Sequence, residues 1–299
     1  MPFLGEIFAL ATAVIWAHGS VFFTSASRRA GSFFVNRTRA LFGSLILLVL
    51  HFVMYGFLFP QLTLNQFALL LLSSATGLVI GDSFLLQAYV DIGPRFTLLI
   101  GNLTPFFTAI LAALILTEHL SLQVWLGMFV TISGTVWVMF DARFFNKNLL
   151  QTRPLRGVIF AMLFALCQGF GFVIVKPVIH GDQAILPLSA TLIRLCMATV
   201  FWMIITLFVR DWRQLAKNFA DKKTVFFVIM GTLLGPTIGV WCSYVALKHT
   251  SAGIAATIIA TLPIMVLPVV MIVYKEKITW RALVGTLLAV CGVALLFLR

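Results

Sequence analysis

The hydrophobic pattern of the chain consists of long, nearly continuous apolar runs separated by short polar stretches. Most runs reach about 20 residues, the length that an α-helix needs to cross the hydrocarbon core of a bilayer. They show no strand-like alternation and are too long for the strands of a membrane barrel. The pattern predicts an all-α integral membrane protein with ten transmembrane helices, over residues 4–26, 33–57, 65–88, 95–116, 122–141, 156–176, 187–209, 224–247, 252–274 and 280–298.

The composition agrees with a membrane protein. The 299 residues are 61% hydrophobic and 10% charged, whereas soluble domains carry about 25% charged residues. The net charge of +12 raises the question of nucleic-acid binding. However, most lysines and arginines lie in short loops between apolar runs, where positive charge sets orientation and meets lipid head groups. We therefore expect no nucleic-acid partner.

The chain contains an internal repeat. Residues 102–121 read NLTPFFTAILAALILTEHLS, and residues 260–279 read ATLPIMVLPVVMIVYKEKIT. One offset of 158 positions aligns their prolines, glutamates and terminal hydroxyl residues, and it also aligns glycines and an alanine outside these stretches. A slightly smaller offset aligns the earlier positions. The sequence thus predicts two repeats of five helices, at residues 1–141 and 156–299, joined by a linker at 142–155. The matched pairs are Pro105/Pro263, Glu118/Glu276, Ser121/Thr279, Gly77/Gly235, Gly81/Gly239, Ala88/Ala246, Gly127/Gly285, Gly134/Gly292, Gly5/Gly157 and Arg39/Arg194.

Five is an odd number, so the second repeat must enter the membrane from the side opposite to the first. Charge tests this inversion independently. Sixteen lysines and arginines lie in the loops after helices 1, 3, 5, 7 and 9, and three lie on the other face. The split predicts a cytoplasmic linker and both termini outside. Inverted repeats are typical of secondary transporters.

The matched prolines lie within predicted helices, where each removes one backbone hydrogen bond and bends the axis. Pro105 and Pro263 are therefore candidate hinges, with static kinks that only shape the packing as the alternative. The turns after them begin with Glu118 and Glu276. Ser121 and Thr279 are placed to cap the helices that follow.

Several features resemble one family when taken together. They are an early arginine in the second helix of each repeat with a small residue four positions later, a proline in the fourth helix, a Glu-x-hydrophobic-Ser/Thr turn, and Gly-x6-Gly in the fifth helix. In this order, twice over, they resemble the EamA family of the drug/metabolite transporter superfamily. The resemblance implies a ten-helix carrier with a central cavity between the halves, which exports or exchanges small metabolites. The residues are Arg39/Gly43, Arg194/Ala198, Pro105, Pro263, Gly127/Gly134 and Gly285/Gly292.

Asp82 is the carboxylate that lies deepest in a predicted helix. A charged group inside a membrane is costly and usually faces a cavity or a partner. Asp82 is therefore either an acid that couples protons or contacts a ligand, or a member of a structural ion pair with Arg39 or another basic group. The second repeat has Val240 at the matching position, so neither role would be symmetric.

Arg39 and Arg194 lie about two turns inside the second and seventh helices, at matched positions. A guanidinium can hold a substrate carboxylate through two hydrogen bonds. The alternative is a clamp between helices, onto backbone carbonyls. The GxxxG pairs Gly77/Gly81 and Gly235/Gly239 let helices approach closely, and we assign them no chemistry.

Other polar or amphipathic groups lie at mid-membrane depth, each of which is on its own more typical of packing than of ligand contact. As a set they are expected to line one pocket together with Arg39, Asp82 and Arg194, with aromatic walls and a few polar groups that orient the substrate. Histidine titrates near neutral pH, although a lone histidine is more often structural. This set is Trp16, His18, Asn102, Gln168, Trp241 and Tyr244.

The leading hypothesis is a secondary transporter of the plasma membrane that exports or exchanges small metabolites such as amino acids or amphipathic compounds. The alternatives are an integral-membrane enzyme acting on a lipid-like substrate, and a transporter of organic phosphates or nucleotide-sugar-like anions. An enzyme is not favoured, because the nine acidic residues are scattered singly. We expect no catalytic residues, no metal and no cofactor. Expected partners are a small-molecule substrate, the lipid bilayer, and protons or a counter-substrate, with a monomer or weak homodimer as the assembly.

Overall fold

The structure, a computed structural model, describes residues 3–115, 122–139, 153–179, 184–249, 258–259, 261–275 and 278–297. These ranges consist of helices and short turns, with no β-strand among them, which confirms the all-α prediction. Within these ranges, six helical stretches are long and apolar enough to cross a membrane, and four shorter apolar helices accompany them. The six are Leu4–Ala30, Ser32–Tyr55, Leu64–Gly101, Pro154–Ile179, Pro187–Val209 and Lys222–Ser243.

The helices follow the predicted order. In the first half they are α1 (Leu4–Ala30), α2 (Ser32–Tyr55), α3 (Leu64–Ser73), the π-helix π1 (Ser74–Gly81), α4 (Asp82–Gly101), α5 (Thr104–Ile115) and α6 (Leu122–Met139). In the second half they are α7 (Pro154–Ile179), α8 (Pro187–Val209), α9 (Trp212–Ala220), α10 (Lys222–Thr232), the π-helix π2 (Leu233–Gly239), α11 (Val240–His249), α12 (Leu262–Tyr274) and α13 (Trp280–Phe297).

Two glycines set the boundaries between consecutive long helices. Gly31 separates α1 from α2 with a φ of 86°. Gly93 interrupts α4 with φ 77° and ψ 168°, and Pro94 follows it. Positive φ of this kind is accessible mainly to glycine. The third predicted segment therefore continues through residues 82–92, and the fourth begins at Pro94.

The two π-helices were not predicted, and they lie at matching places. Both end on a glycine, Gly81 in π1 and Gly239 in π2, separated by the same 158 positions as the rest of the repeat. The two GxxxG pairs lie inside them. A π-helix bonds each N–H to the carbonyl five residues earlier, and such wide turns are rare and are often found at functional sites. The matched π-helices therefore favour these two segments as parts of a functional site.

Equivalent helices pack in equivalent ways. α1 lies against α10, π2 and α11, while its counterpart α7 lies against α3, π1 and α4. α2 packs on α8, and α6 packs on α13. The last pair is very close, because a Cβ on Gly134 would lie 2.7 Å from the carbonyl oxygen of Gly285. The Gly-x6-Gly motif thus serves a backbone-to-backbone contact between the final helices of the two repeats.

Both predicted hinge prolines occupy the first turn of a helix, directly after a break. Pro105 is the second residue of α5, and Pro263 is the second residue of α12. In each break an N–H bonds to the carbonyl three residues earlier, at 2.9 Å from Leu103 to Ile100 and at 3.0 Å from Thr261 to Ile258. These two bonds are again 158 positions apart. A proline in the first turn sacrifices no helical hydrogen bond, so the bend lies in the residues before it.

The structure adds one helix to the prediction and confirms one cap. α9 was not predicted, since the sequence pattern treated residues 210–223 as a loop. Thr279 accepts a hydrogen bond from the Ala282 N–H at 3.1 Å and so caps α13 as predicted.

Several predicted features lie outside the described residues. They are Glu118, Ser121, Glu276, linker residues 142–152, and the side chains of Pro105 and Tyr244.

Candidate functional site

Four of the predicted side chains meet in the interior of the helix bundle. Asp82, the first residue of α4, forms an ion pair with Arg39 of α2. Its other carboxylate oxygen accepts a hydrogen bond from the Gln168 amide of α7 at 3.0 Å. The side chains of Arg39 and Asp82 are only 10% and 4% exposed. The ion pair that the sequence left as one of two alternatives for Asp82 is therefore present.

Arg194 completes this group, which we call the central polar cluster (Arg39, Asp82, Gln168 and Arg194). Its Nη2 lies against π1, where a Cβ on Gly77 would be only 3.0 Å from it and 3.6 Å from Oε1 of Gln168. Its backbone carbonyl accepts a hydrogen bond from Ser74 Oγ at 2.7 Å. The small residue at the start of the first GxxxG pair thus gives a guanidinium room beside the helix backbone.

The local structure of π1 fixes the position of Asp82. The Asn36 side-chain amide donates to the carbonyls of Leu78 and Val79, both at 3.2 Å, and to the Ser83 hydroxyl at 3.0 Å. Asn36 is fully buried. Because a π-turn displaces carbonyls from the regular helical ladder, a buried amide donor stabilises the irregular segment. Asn36 therefore holds the turn from which Asp82 projects.

Two aromatic groups border the cluster. The Arg39 guanidinium lies over the ring of Phe23 in α1, 5.3 Å from its centroid. Tyr89, on α4, is 3% exposed and belongs to the same buried hydrophobic cluster as Phe23. Neither residue was predicted as part of the site. Phe23 is an ordinary apolar residue in the sequence and gave no signal, whereas Tyr89 lies two helical turns after Asp82 on the same face.

The second repeat contains the counterpart of this arrangement without its charge. The Trp16 indole N–H donates to the carbonyl of Gly235 in π2 at 2.9 Å. Trp16 and Gln168 are 152 positions apart, as are Gly5 and Gly157, so they occupy equivalent positions. The first helix of each repeat therefore sends a polar side chain to the π-helix of the other repeat. Val240 stands where Asp82 would be, so the ion pair occurs once.

The other predicted pocket residues lie at separate places. His18 is exposed and contacts the Val14 carbonyl of its own helix at 2.8 Å. Trp241 is 39% exposed, and its ring meets Phe8 edge-on at 5.9 Å. Asn102 is half-buried in the break between α4 and α5. Their depth in the membrane and their shared lining of one pocket remain predictions.

Ion pairs join the helix ends on the arginine-rich side of the bundle, which we call the basic end. Arg37 binds both carboxylate oxygens of Asp211 at 2.9 Å, and Arg156 binds Asp91 at 2.6 Å. Arg29 binds Asp221 at 2.8 Å.

The two aspartates beside α9 have lowered pKa values. The Arg37 guanidinium holds the pKa of Asp211 below its usual range. Hydrogen bonds from the Thr224 hydroxyl and then from Arg29 lower the pKa of Asp221 to about 2. Both aspartates are therefore ionised at neutral pH, and each is engaged with an arginine.

Comparison with known proteins gives the family. A profile of the EamA-like transporter family matches residues 3–140 and again residues 155–298. One solved crystal structure of a protein covers 98% of this chain and 96% of its own, with a TM-score of 0.61 and 12% sequence identity, which shows a similar fold. Curated proteins gave no match. Because the two matches together span nearly the whole sequence, the apolar helices are those of a multi-pass membrane protein, and the chain belongs to the EamA-like transporter family.

Proposed function

We propose that the protein is a secondary transporter of the plasma membrane that moves small metabolites bearing a carboxylate, such as amino acids, by alternating access. The observation that carries this proposal is the central polar cluster, a buried group of charged side chains contributed by helices of both repeats. Membrane proteins place such costly groups where they face a cavity, a substrate or a partner. Inverted-repeat carriers bind substrate near the middle of the membrane, at the interface between the repeats.

The proposed topology has ten transmembrane helices in two inverted repeats, with both termini outside. It is supported by the offset of 158 positions, by the matched packing of α1 and α7, and by the matched breaks before Pro105 and Pro263. The charge asymmetry of the loops supports the orientation. The short helices α5, α6, α12 and α13 would then cross the membrane together with the loops and breaks that flank them.

The charges of the cluster favour an anionic group on the substrate. Two guanidinium groups lie beside one carboxylate in the cluster, and Asp82 is the acidic residue that lies deepest in a predicted membrane helix. An arginine pairs well with a carboxylate or a phosphate, since its planar group matches two acceptor oxygens. An anionic substrate would neutralise the excess positive charge. A carboxylate is our first choice, and an organic phosphate is the second candidate that the same charges allow.

Alternating access is expected from the inverted duplication itself, because inverted-repeat carriers open by moving one repeat against the other around a fixed central site. Near the basic end, α1 packs on α4, and Phe23 and Ala26 share one buried cluster with Leu86 and Tyr89. This packing would have to separate for the central polar cluster to open to that side.

The test is a ligand screen by thermal shift on the purified protein, with amino acids and other small carboxylates set against their uncharged amides. A ligand at a concentration a hundredfold above its Kd adds about 2.7 kcal/mol to the free energy of unfolding. We expect carboxylates to stabilise the protein and amides not to do so. Equal stabilisation by amides would refute the preference for anions. Failure of every stabilising ligand to cross proteoliposome membranes would refute transport.

A further inference from the structure

The connection between α8 and α10 differs from its counterpart in the first repeat. The counterpart, residues 56–63, joins α2 to α3 with the sequence GFLFPQLT and has no lysine or arginine. Residues 210–223, from the end of α8 to the first turn of α10, contain the helix α9 and five cations, all of them exposed. The repeat itself does not require this helix. We call these five side chains the α9 cation surface: Arg210, Arg213, Lys217, Lys222 and Lys223.

The acids of the same segment do not neutralise these cations. Asp211 is bound through both carboxylate oxygens to Arg37 of α2, and Asp221 is bound to Arg29 of α1. These arginines belong to neighbouring helices and lie outside the α9 cation surface. Both carboxylates are therefore committed to other partners, and the five cations keep a large excess of positive charge.

α9 is held firmly against the bundle by its other face. The Asn218 amide donates to the Ala30 carbonyl at 3.2 Å, and the Phe219 ring meets Phe34 edge-on at 5.2 Å. Residues 213 and 217 lie one helical turn apart on the exposed side. Like charges at this spacing repel each other. An anion between them would remove the repulsion.

The surroundings of the surface are those of a membrane boundary. Phe208 is 83% exposed, Trp212 is 50% exposed and Phe226 is 52% exposed. The first and last belong to α8 and α10, which are parts of stretches apolar enough to cross a membrane. Tryptophan is enriched at the level of the lipid head groups. Exposed apolar rings directly beside exposed cations thus place α9 at the depth of the lipid phosphates.

We propose that the α9 cation surface is a binding site for the head groups of anionic phospholipids. Each lysine or arginine near an anionic membrane surface adds about 1 kcal/mol of attraction. Arginine can hold a phosphate through two hydrogen bonds, while lysine acts as a point charge. Bound lipid would bridge Arg213 and Lys217 on α9. Through Ala30 and Arg29 the site is continuous with the end of α1.

The experiment compares phosphatidylglycerol with phosphatidylcholine as lipids bound to the full-length protein, by native mass spectrometry and by thermal unfolding in nanodiscs of each lipid. The test variant is Arg213→Gln/Lys217→Gln. The control is Lys275→Gln/Arg281→Gln, which removes two exposed cations from the same basic end outside α9. Wild type and control are expected to prefer phosphatidylglycerol. The test variant is expected to lose roughly thirtyfold in that preference, because two cations contribute about 2 kcal/mol.

Each outcome decides the proposal. An equal loss in the control pair would show a diffuse effect of net charge and would overturn the site, as would the absence of any lipid preference in wild type. A loss of preference on adding millimolar inorganic phosphate would identify a site for soluble phosphate and overturn a lipid site. If the test variant unfolds, the salt dependence of the wild-type lipid preference still tests the proposal, because interactions between exposed charges are screened by salt. That preference must then fall between 50 mM and 500 mM salt, and a constant preference would contradict the proposal.

Discussion

Replacing Arg39 with alanine tests the central polar cluster most directly. The change leaves the Asp82 carboxylate, which is 4% exposed, without its guanidinium partner. Removing one member of a buried ion pair costs about 3–5 kcal/mol, because the remaining charge loses its direct partner and water does not replace it. For a chain of this size, such a loss lowers the thermal midpoint on the order of 10 °C. The expected result is therefore a large loss of stability in the absence of any ligand.

The matched control is Arg29→Ala. It removes the same residue type from the same type of pair, but the side chains of Arg29 and Asp221 are 41% and 37% exposed. Water solvates the remaining carboxylate there, so the midpoint should fall much less. The assay is thermal unfolding of purified protein in one detergent, followed by intrinsic fluorescence. Equal midpoints for the two variants would refute the claim that the Arg39–Asp82 pair is buried and structural.

The same variants separate a structural role of Arg39 from a ligand contact. The double variant Arg39→Gln/Asp82→Asn removes both charges and should be less destabilised than the sum of the single changes, since the two residues are in contact. If Arg39 also binds substrate, the double variant should fold and yet show no thermal shift with a carboxylate that stabilises wild type. A normal shift would assign Arg39 to structure alone.

Other predictions concern topology, motion and pH. On a cysteine-free background, a cysteine at Asn148 should resist an impermeant reagent in intact cells, while one at Gln61 reacts; labelling at Asn148 would reverse the orientation. Pro263→Ala, like the same change at its counterpart in the first repeat, should slow transport more than it weakens binding, and unchanged rates would make the prolines static. Asp82→Asn should abolish the pH dependence of uptake into proteoliposomes but preserve counterflow; unaltered pH dependence would exclude proton coupling there. Asp221 has a pKa of about 2, below the ordinary value of 3.8, so its ion pair with Arg29 should stabilise the fold fully above pH 5 and lose that contribution as the pH falls toward 2. The variant Asp221→Asn should therefore show a thermal midpoint that depends less on pH between 5 and 2.

The sequence was sufficient for the chemistry of the central polar cluster. Arg39, Asp82 and Arg194 stand out because charge within an apolar run is costly and must have a reason. The repeat added that the two arginines are equivalent, and depth along the helices brought in Gln168. These arguments depend only on residue type and position in the run, and the structure places all four side chains together.

The arrangement around the helices was harder to predict. A helix that is apolar on all sides gives little indication of which face meets lipid and which meets another helix. For this reason the sequence contained no indication of the direction in which His18 and Trp241 face, and Trp16 was expected to form an apolar wall but donates a hydrogen bond to π2. The π-helices could not be predicted from the sequence, because a π-turn alters the direction of the side chains without altering the hydrophobic composition of the segment. Asn36 supports one of them, and a buried neutral amide attracts less notice than a charge.

The duplication explains the asymmetry of the site. Both repeats build a π-helix ending in glycine, and both send the matching residue of their first helix to the π-helix of the other repeat. The scaffold is therefore shared, and a change at one position alters one half alone. Asp82 is such a change, because its counterpart Val240 cannot pair with a guanidinium. One carboxylate between two arginines leaves a net positive charge, whereas a second carboxylate would cancel it. The presence of one carboxylate rather than two beside the arginines is thus what would make the proposed site selective for anions.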